Sequence, residues 1–141
     1  MPAVDLLQRL REMLASDALQ SEHDVARLVS QRLPLRVLDG LRTAGMTDDE
    51  IYSFVVPRRT LSHRRAKKER LSVEESDRVV RILRVAAFGE RVFGERERFW
   101  RWFRTPHPAF DDRSPLALVT TDAGARVVED MLVAIDEGFA A

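Results

Sequence analysis

Along almost all of this chain the apolar residues recur at intervals of three and four, and no segment makes a convincing strand. That spacing is one face of an α-helix, so the chain is expected to be all-α. Leu6, Leu7, Leu10, Met13 and Leu14 form the first stripe. Ser21, with Asp24 three residues on, fits the start of a second helix carrying Val25, Leu28 and Val29. Pro34 is expected to open a third, with Leu35, Val37, Leu38 and Leu41 buried and Gly45 as its stop. Thr47 caps a fourth, whose first turn, Asp48, Asp49 and Glu50, suits the positive end of the helix dipole. Pro57 opens a fifth.

Ser72-Val73-Glu74-Glu75 reads as a capping box at the head of a longer helix through Val79, Ile82, Leu83, Ala86 and Ala87. Glu74 with Arg78, and Asp77 with Arg81, are four-apart pairs on its outer side. Gly89 and Gly94 are expected to interrupt it. A helix resumes over 95–103 with Phe99, Trp100, Trp102 and Phe103, at least two of them core. Pro106 and Pro108 impose a loop. Ser114-Pro115 starts a short helix, and Asp122 caps a last one with Val128, Met131, Leu132, Ile135 and Phe139 in its stripe.

A chain of 141 residues can bury a core unaided, and its lack of cysteine excludes disulfides, thiolate zinc sites and thiol catalysis. No apolar run reaches the roughly 18 residues of a membrane span, so no membrane partner and a cytoplasmic location are expected. His23, His63 and His107 stand in no metal-ligand spacing, and no glycine-rich phosphate loop is present. Asp48-Asp49-Glu50 is accounted for by capping and Asp111-Asp112 by a turn. The expectation is a protein without metal, cofactor or catalytic residues.

Charge is more informative than its zero total. Residues 58–70 hold seven basic side chains against Glu69, and residues 105–141 hold seven acids against two arginines. Two surfaces of opposite sign suggest two partners. The basic block lies on the second of two helices joined by a tight turn, the arrangement a helix-turn-helix needs to place one helix in the major groove. Arg58, Arg59, Thr60, Ser62, His63 and Arg65 are the candidate DNA contacts, with Leu61 and Ala66 facing inward. One such helix buries too little surface for tight specific binding, so a homodimer on paired half-sites of an operator is expected, the stripe on the first helix offering dimer contacts.

Several segments in order resemble the antitoxins of the Xre/MbcA/ParS group. They are Leu33-Pro34-Leu35, the run Arg58-Arg59-Thr60-Leu61-Ser62-His63-Arg64-Arg65, and Leu71-Ser72-Val73-Glu74-Glu75-Ser76-Asp77-Arg78. Val92-Phe93-Gly94, Ser114-Pro115-Leu116-Ala117-Leu118, Thr121-Asp122-Ala123-Gly124-Ala125 and Ile135-Asp136-Glu137-Gly138-Phe139-Ala140 follow. The chain departs from that pattern at Val56-Pro57, His107-Pro108-Ala109-Phe110 and Asp111-Asp112. The resemblance implies a C-terminal toxin-binding domain, a cognate RES-domain toxin that degrades NAD, an antitoxin that covers its active site, and repression of the operon's own promoter. The implied division is 1–33 for N-terminal helices, 34–70 for the helix-turn-helix and 71–141 for toxin binding.

Asp136 and Glu137 stand at the negative end of the last helix, against the dipole. Gly138 is suited to end that helix left-handed, leaving Phe139, Ala140 and Ala141 as a slim tail. From the residues alone such an end would fray; the resemblance makes residues 136–141 the candidate toxin contacts, with their carboxylates facing basic groups that hold phosphate in the toxin. A stand-alone transcription regulator without a toxin is the competing reading.

Overall fold

The computed structural model describes residues 2–138, and Phe139, Ala140 and Ala141 of the expected tail lie outside them. In chain order the helices are α1 (Pro2–Leu14), α2 (Glu22–Ser30), α3 (Val37–Ala44), α4 (Asp48–Phe54), α5 (Arg58–Ala66) and α6 (Val73–Phe93). Then come α7 (Arg96–Phe103), a 3-10 turn (Pro108–Phe110), α8 (Pro115–Leu118) and α9 (Asp122–Asp136). Among the described residues there is no strand, and one isolated bridge joins His107 to Arg113. The all-α expectation holds.

Capping chemistry places most of the boundaries. Ser21, Thr47 and Ser72 each accept from the backbone N–H three residues on, while Asp24, Glu50 and Glu75 reach back to the cap N–H. Ser114 caps α8 in the same way with its hydroxyl. Three boundaries differ from the sequence reading. The segment after Pro34 makes three-residue turns before α3 begins at Val37. Pro57 is the cap of α5, not its first residue. Thr121, whose hydroxyl accepts from Gly124 N–H, caps α9, and Asp122 is the first helical residue.

Gly89 does not interrupt α6, which runs on to a left-handed Gly94. A Cβ at Gly89 would sit 2.0 Å from the Phe99 ring, so the glycine is there to let α7 lie close against α6. Gly89→Ala is expected to cost about 1–3 kcal/mol through overpacking, read as a lower midpoint in chemical denaturation.

α6 is the central beam, with α1, α2, α3, α7 and α9 packed on it. Its buried residues include Val79, Ile82, Leu83 and Ala86, against Leu6, Leu10, Phe99, Phe103, Val128 and Leu132. Of the four aromatics in α7, Phe99, Trp100 and Phe103 are buried and Trp102 is half-buried. The stripe on α1 is also spent inside the chain: Leu6 and Leu10 are 0% exposed, so the surface expected to serve dimer contacts is core.

The unit α3–α5 starts and ends at one seam. Leu71 N–H donates to Leu33 O at 3.0 Å, and the buried Leu33 N–H donates to Ser76 Oγ at 2.8 Å. Arg32 donates to Leu71 O and Arg70 O, and Arg70 donates back to Arg32 O. These bonds satisfy backbone groups that a loop buried at a helix junction would otherwise leave unpaired.

Candidate functional site

The turn between α4 and α5 is closed by two N–H groups, Val55 and Val56, which both donate to Ile51 O at 2.9 and 3.1 Å. Pro57 follows in an extended conformation, and its carbonyl accepts from Leu61 N–H at 2.9 Å. Leu61, 1% exposed, anchors α5 to the core. Arg58, Arg59, Ser62, His63 and Arg65 are all exposed, and helical spacing puts them around one outward arc. Thr60 is half-buried beside that arc, on the side of Arg64. Ala66, expected to point inward, is exposed and falls in the middle of the arc with Ser62.

Two arginines of this stretch are already engaged. The Arg58 guanidinium lies 5.7 Å from the centre of the Tyr52 ring, which steadies it across the turn. Arg64 turns away from the open face to Glu75, with Nε 3.0 Å from Oε1. Glu75 is buried and also accepts from Ser72 N–H, so one carboxylate caps α6 and holds α5. Arg59, Arg65, Lys67 and Lys68 form no ion pair among the described residues and are exposed. Unpaired guanidinium and ammonium groups on one convex helix are suited to phosphate.

Residues outside the pair of helices fix its angle. Arg78 of α6 does not pair with Glu74; its Nη1 donates to Val55 O at 3.0 Å, inside the turn. At the other end of α4, Arg104 from the end of α7 binds Glu50 with both nitrogens, at 2.9 and 3.0 Å, and also donates to Gly45 O. Gly45 has φ +137°, and a Cβ there would fall 2.8 Å from the Trp100 indole, so the glycine lets the chain leave α3 and lie against that ring. Both ends of α4 are thus gripped from α6 and α7.

Partial burial of Glu50 opposes its ionisation, but hydrogen bonds from Arg104 and Thr47, with the Arg104 charge, outweigh it and lower its pKa. A carboxylate lowered in the folded state stabilises above its ordinary range, about 4.3, and that contribution disappears as pH falls through the folded value. Glu50→Gln is therefore expected to flatten the acid side of the stability profile, measured by denaturant titration between pH 3 and 7, while lowering stability at pH 7.

The acidic pole lies on the last helix. Asp136, Glu137 and Gly138 are exposed, Glu137 N–H donates to Val133 O, and Gly138 N–H donates to Ile135 O. Gly138 has φ +78°, the left-handed stop its sequence position suggests. Asp136 and Glu137 form no ion pair among the described residues. In the loop before α8, Asp111 and Asp112 have φ +56° and +61°, at positions suited to glycine. Backbone bonds from Asp111 N–H to Pro108 O, Asp112 N–H to His107 O and His107 N–H to Arg113 O hold that turn.

Among the described residues no group of three metal-ligating side chains exists, and no helix is long and apolar enough to cross a membrane. What the fold presents is a helix-turn-helix regulator whose second, helical unit is braced against the first. Residues 24–84 match the antitoxin Xre-like helix-turn-helix domain, and residues 88–138 match the antitoxin Xre/MbcA/ParS C-terminal toxin-binding domain. The two matched regions meet inside α6. "Antitoxin Xre" of Pseudomonas putida is 31% identical over 131 residues, 93% of this chain and 82% of that protein. "Antitoxin Xre" of Yersinia enterocolitica is 33% identical over 84 residues, 59% of this chain and 57% of that protein. The chain belongs to the Xre/MbcA/ParS antitoxin family. It is an antitoxin of a toxin–antitoxin system with a helix-turn-helix for DNA.

Proposed function

We propose that this antitoxin neutralises an NAD-degrading toxin of the RES-domain kind by occluding its active site with residues 136–141. We propose further that it represses its own operon as a homodimer through α5. The observation that carries the reading is the presence, on one braced helical body, of an open cationic helix and an open anionic helix end. Arg59 and Arg65 serve phosphates, with Arg58 held at the helix start by Tyr52. Ser62 and His63 offer donors and acceptors to base edges, and Ala66 offers a methyl suited to thymine. Thr60, half-buried, shapes the flank of the helix. Residues 34–70 form the DNA unit and 71–141 the toxin unit, with α6 shared structurally between them.

The acidic end fits a partner whose catalytic cleft holds a dinucleotide. Such a cleft needs basic groups for the pyrophosphate, and the carboxylates of Asp136 and Glu137 can pair with them while the residues after Gly138 fill the space beyond. The direct test is co-expression with a RES-domain toxin in growing cells. Growth and cellular NAD should both be maintained in proportion to the amount of this chain. Growth arrest and NAD loss at equal or excess antitoxin would overturn the reading and favour a stand-alone regulator.

A further inference from the structure

The large exposed hydrophobic residues of the chain include Val127, 48% exposed, and Val133, 43% exposed, both on α9. The opposite side of that helix is spent in the core, where Gly124, Ala125, Val128 and Leu132 are buried. Ala123, Val127, Asp130 and Ala134 follow one another at spacings of four, three and four, so they line one outward stripe. Val133 and Glu137 flank it beside Asp130. An amphipathic helix seated on a core needs no apolar groups on its outer side, and polar residues there would be cheaper to solvate.

Charge narrows what covers this stripe. The exposed charged residues of α9 and its cap are Asp122, Asp130, Asp136 and Glu137 against Arg126, and Arg126 is paired with Asp122. DNA carries the same sign and is excluded. A second copy carries the same acidic excess along its own α9, so packing the two stripes face to face would bring like charges together and self-pairing is opposed. The remaining occupant is a different protein with an apolar spot among basic groups. Residues 88–138 match a toxin-binding domain, and the stripe is continuous along α9 with the end at Asp136 and Glu137.

We infer that the outer stripe of α9, centred on Val127, Asp130 and Val133, is the surface on which the toxin docks, separate from the residues that occlude its active site. This rests on the reading that 136–141 supply the occlusion, and adds that affinity and inhibition reside in different parts of one helix. Val127 and Val133 fill apolar recesses, and Asp130 between them meets a basic side chain. The stripe delivers affinity; the helix end blocks the cleft.

The test uses the full chain and a catalytically inactive form of the cognate toxin, with binding measured by calorimetry and neutralisation measured against the active form. Val127→Asp with Val133→Asp is expected to weaken toxin binding by about 30-fold or more, the scale of hot-spot loss. Asp130→Lys is expected to weaken it on the order of 10-fold, with a reduced dependence on salt. Operator binding and helix content should be unchanged in both, which separates lost docking from lost folding. A chain lacking residues 138–141 should still bind the toxin while failing to neutralise it. Wild-type affinity in the double valine variant would overturn the docking surface and leave the occlusion reading intact. Loss of self-association in that variant, seen by sedimentation, would overturn it by making the stripe a self-interface. Neutralisation by the shortened chain would instead overturn the occlusion reading.

Discussion

Arg59→Ala combined with Arg65→Ala is expected to lower operator affinity on the order of 100-fold and to reduce the slope of log affinity against log salt by roughly 1.8. Both side chains are exposed and form no ion pair among the described residues, so each is available to displace a condensed counterion. The slope changes by roughly 0.9 for each phosphate contact removed, and hydrogen bonds to a charged group are worth about 1.5–3 kcal/mol each. The loss should be nearly uniform across DNA sequences, since phosphate carries no sequence information. Ser62→Ala or His63→Ala should do the opposite, changing preference among operator variants with little change in salt slope. Stability should stay constant in all of these, because none of the four side chains is buried. An unchanged gel shift in the Arg59/Arg65 variant, over a range of salt, would remove α5 from the DNA interface.

Arg64 is the informative contrast within the same run of residues. From the sequence it looks like one more cation in a basic helix, yet it faces the buried Glu75 with its Nε 3.0 Å away. Periodicity separates it from Arg59, since Leu61 and Arg64 are three apart on one side of α5, but not from Arg65, four from Leu61; there the difference is made by Glu75 of α6, which lies on the side of Arg64. Ala66 is the reverse case, an apolar residue read as inward that the same periodicity, counted from Leu61, places outside. Five of the six residues singled out for DNA do reach one open arc, because the arc is fixed by helix geometry and a single anchor.

Local chemistry made most of the fold legible. Ser21, Thr47, Ser72 and Ser114 are caps whose partners lie within three residues, and the stripes they introduce are long enough to define a face. What was not legible depends on residues far away in the chain. Whether Gly89 ends α6 is decided by the Phe99 ring packed on it, and whether Arg78 pairs with Glu74 is decided by a carbonyl at Val55. The double grip on α4 by Arg78 and Arg104 belongs to the same class. The apolar stripe of α1 suggests dimer contacts, but a stripe does not say whether the core it seeks lies in its own chain.

Removing residues 138–141 is expected to abolish neutralisation while leaving the fold and operator binding nearly intact. The last helical residue is Asp136, and among the described residues those of α9 that are buried lie before it: Ala125, Val128 and Leu132 are each 3% exposed or less. Gly138 is exposed, and a Cβ placed on it meets nothing within 4 Å. Loss of residues 138–141 is expected to be nearly silent in a denaturation curve. In cells the shortened chain should fail to restore growth at expression equal to that of the full chain.

Inhibition of the toxin by a helix end that fills its cleft is measured by titrating a purified RES-domain toxin with each form and following NAD consumption. The full chain should stop NAD loss at stoichiometric amounts, while the chain lacking residues 138–141 leaves it running even when it saturates operator DNA. Equal inhibition by the two forms would show that residues 138–141 do not fill the cleft.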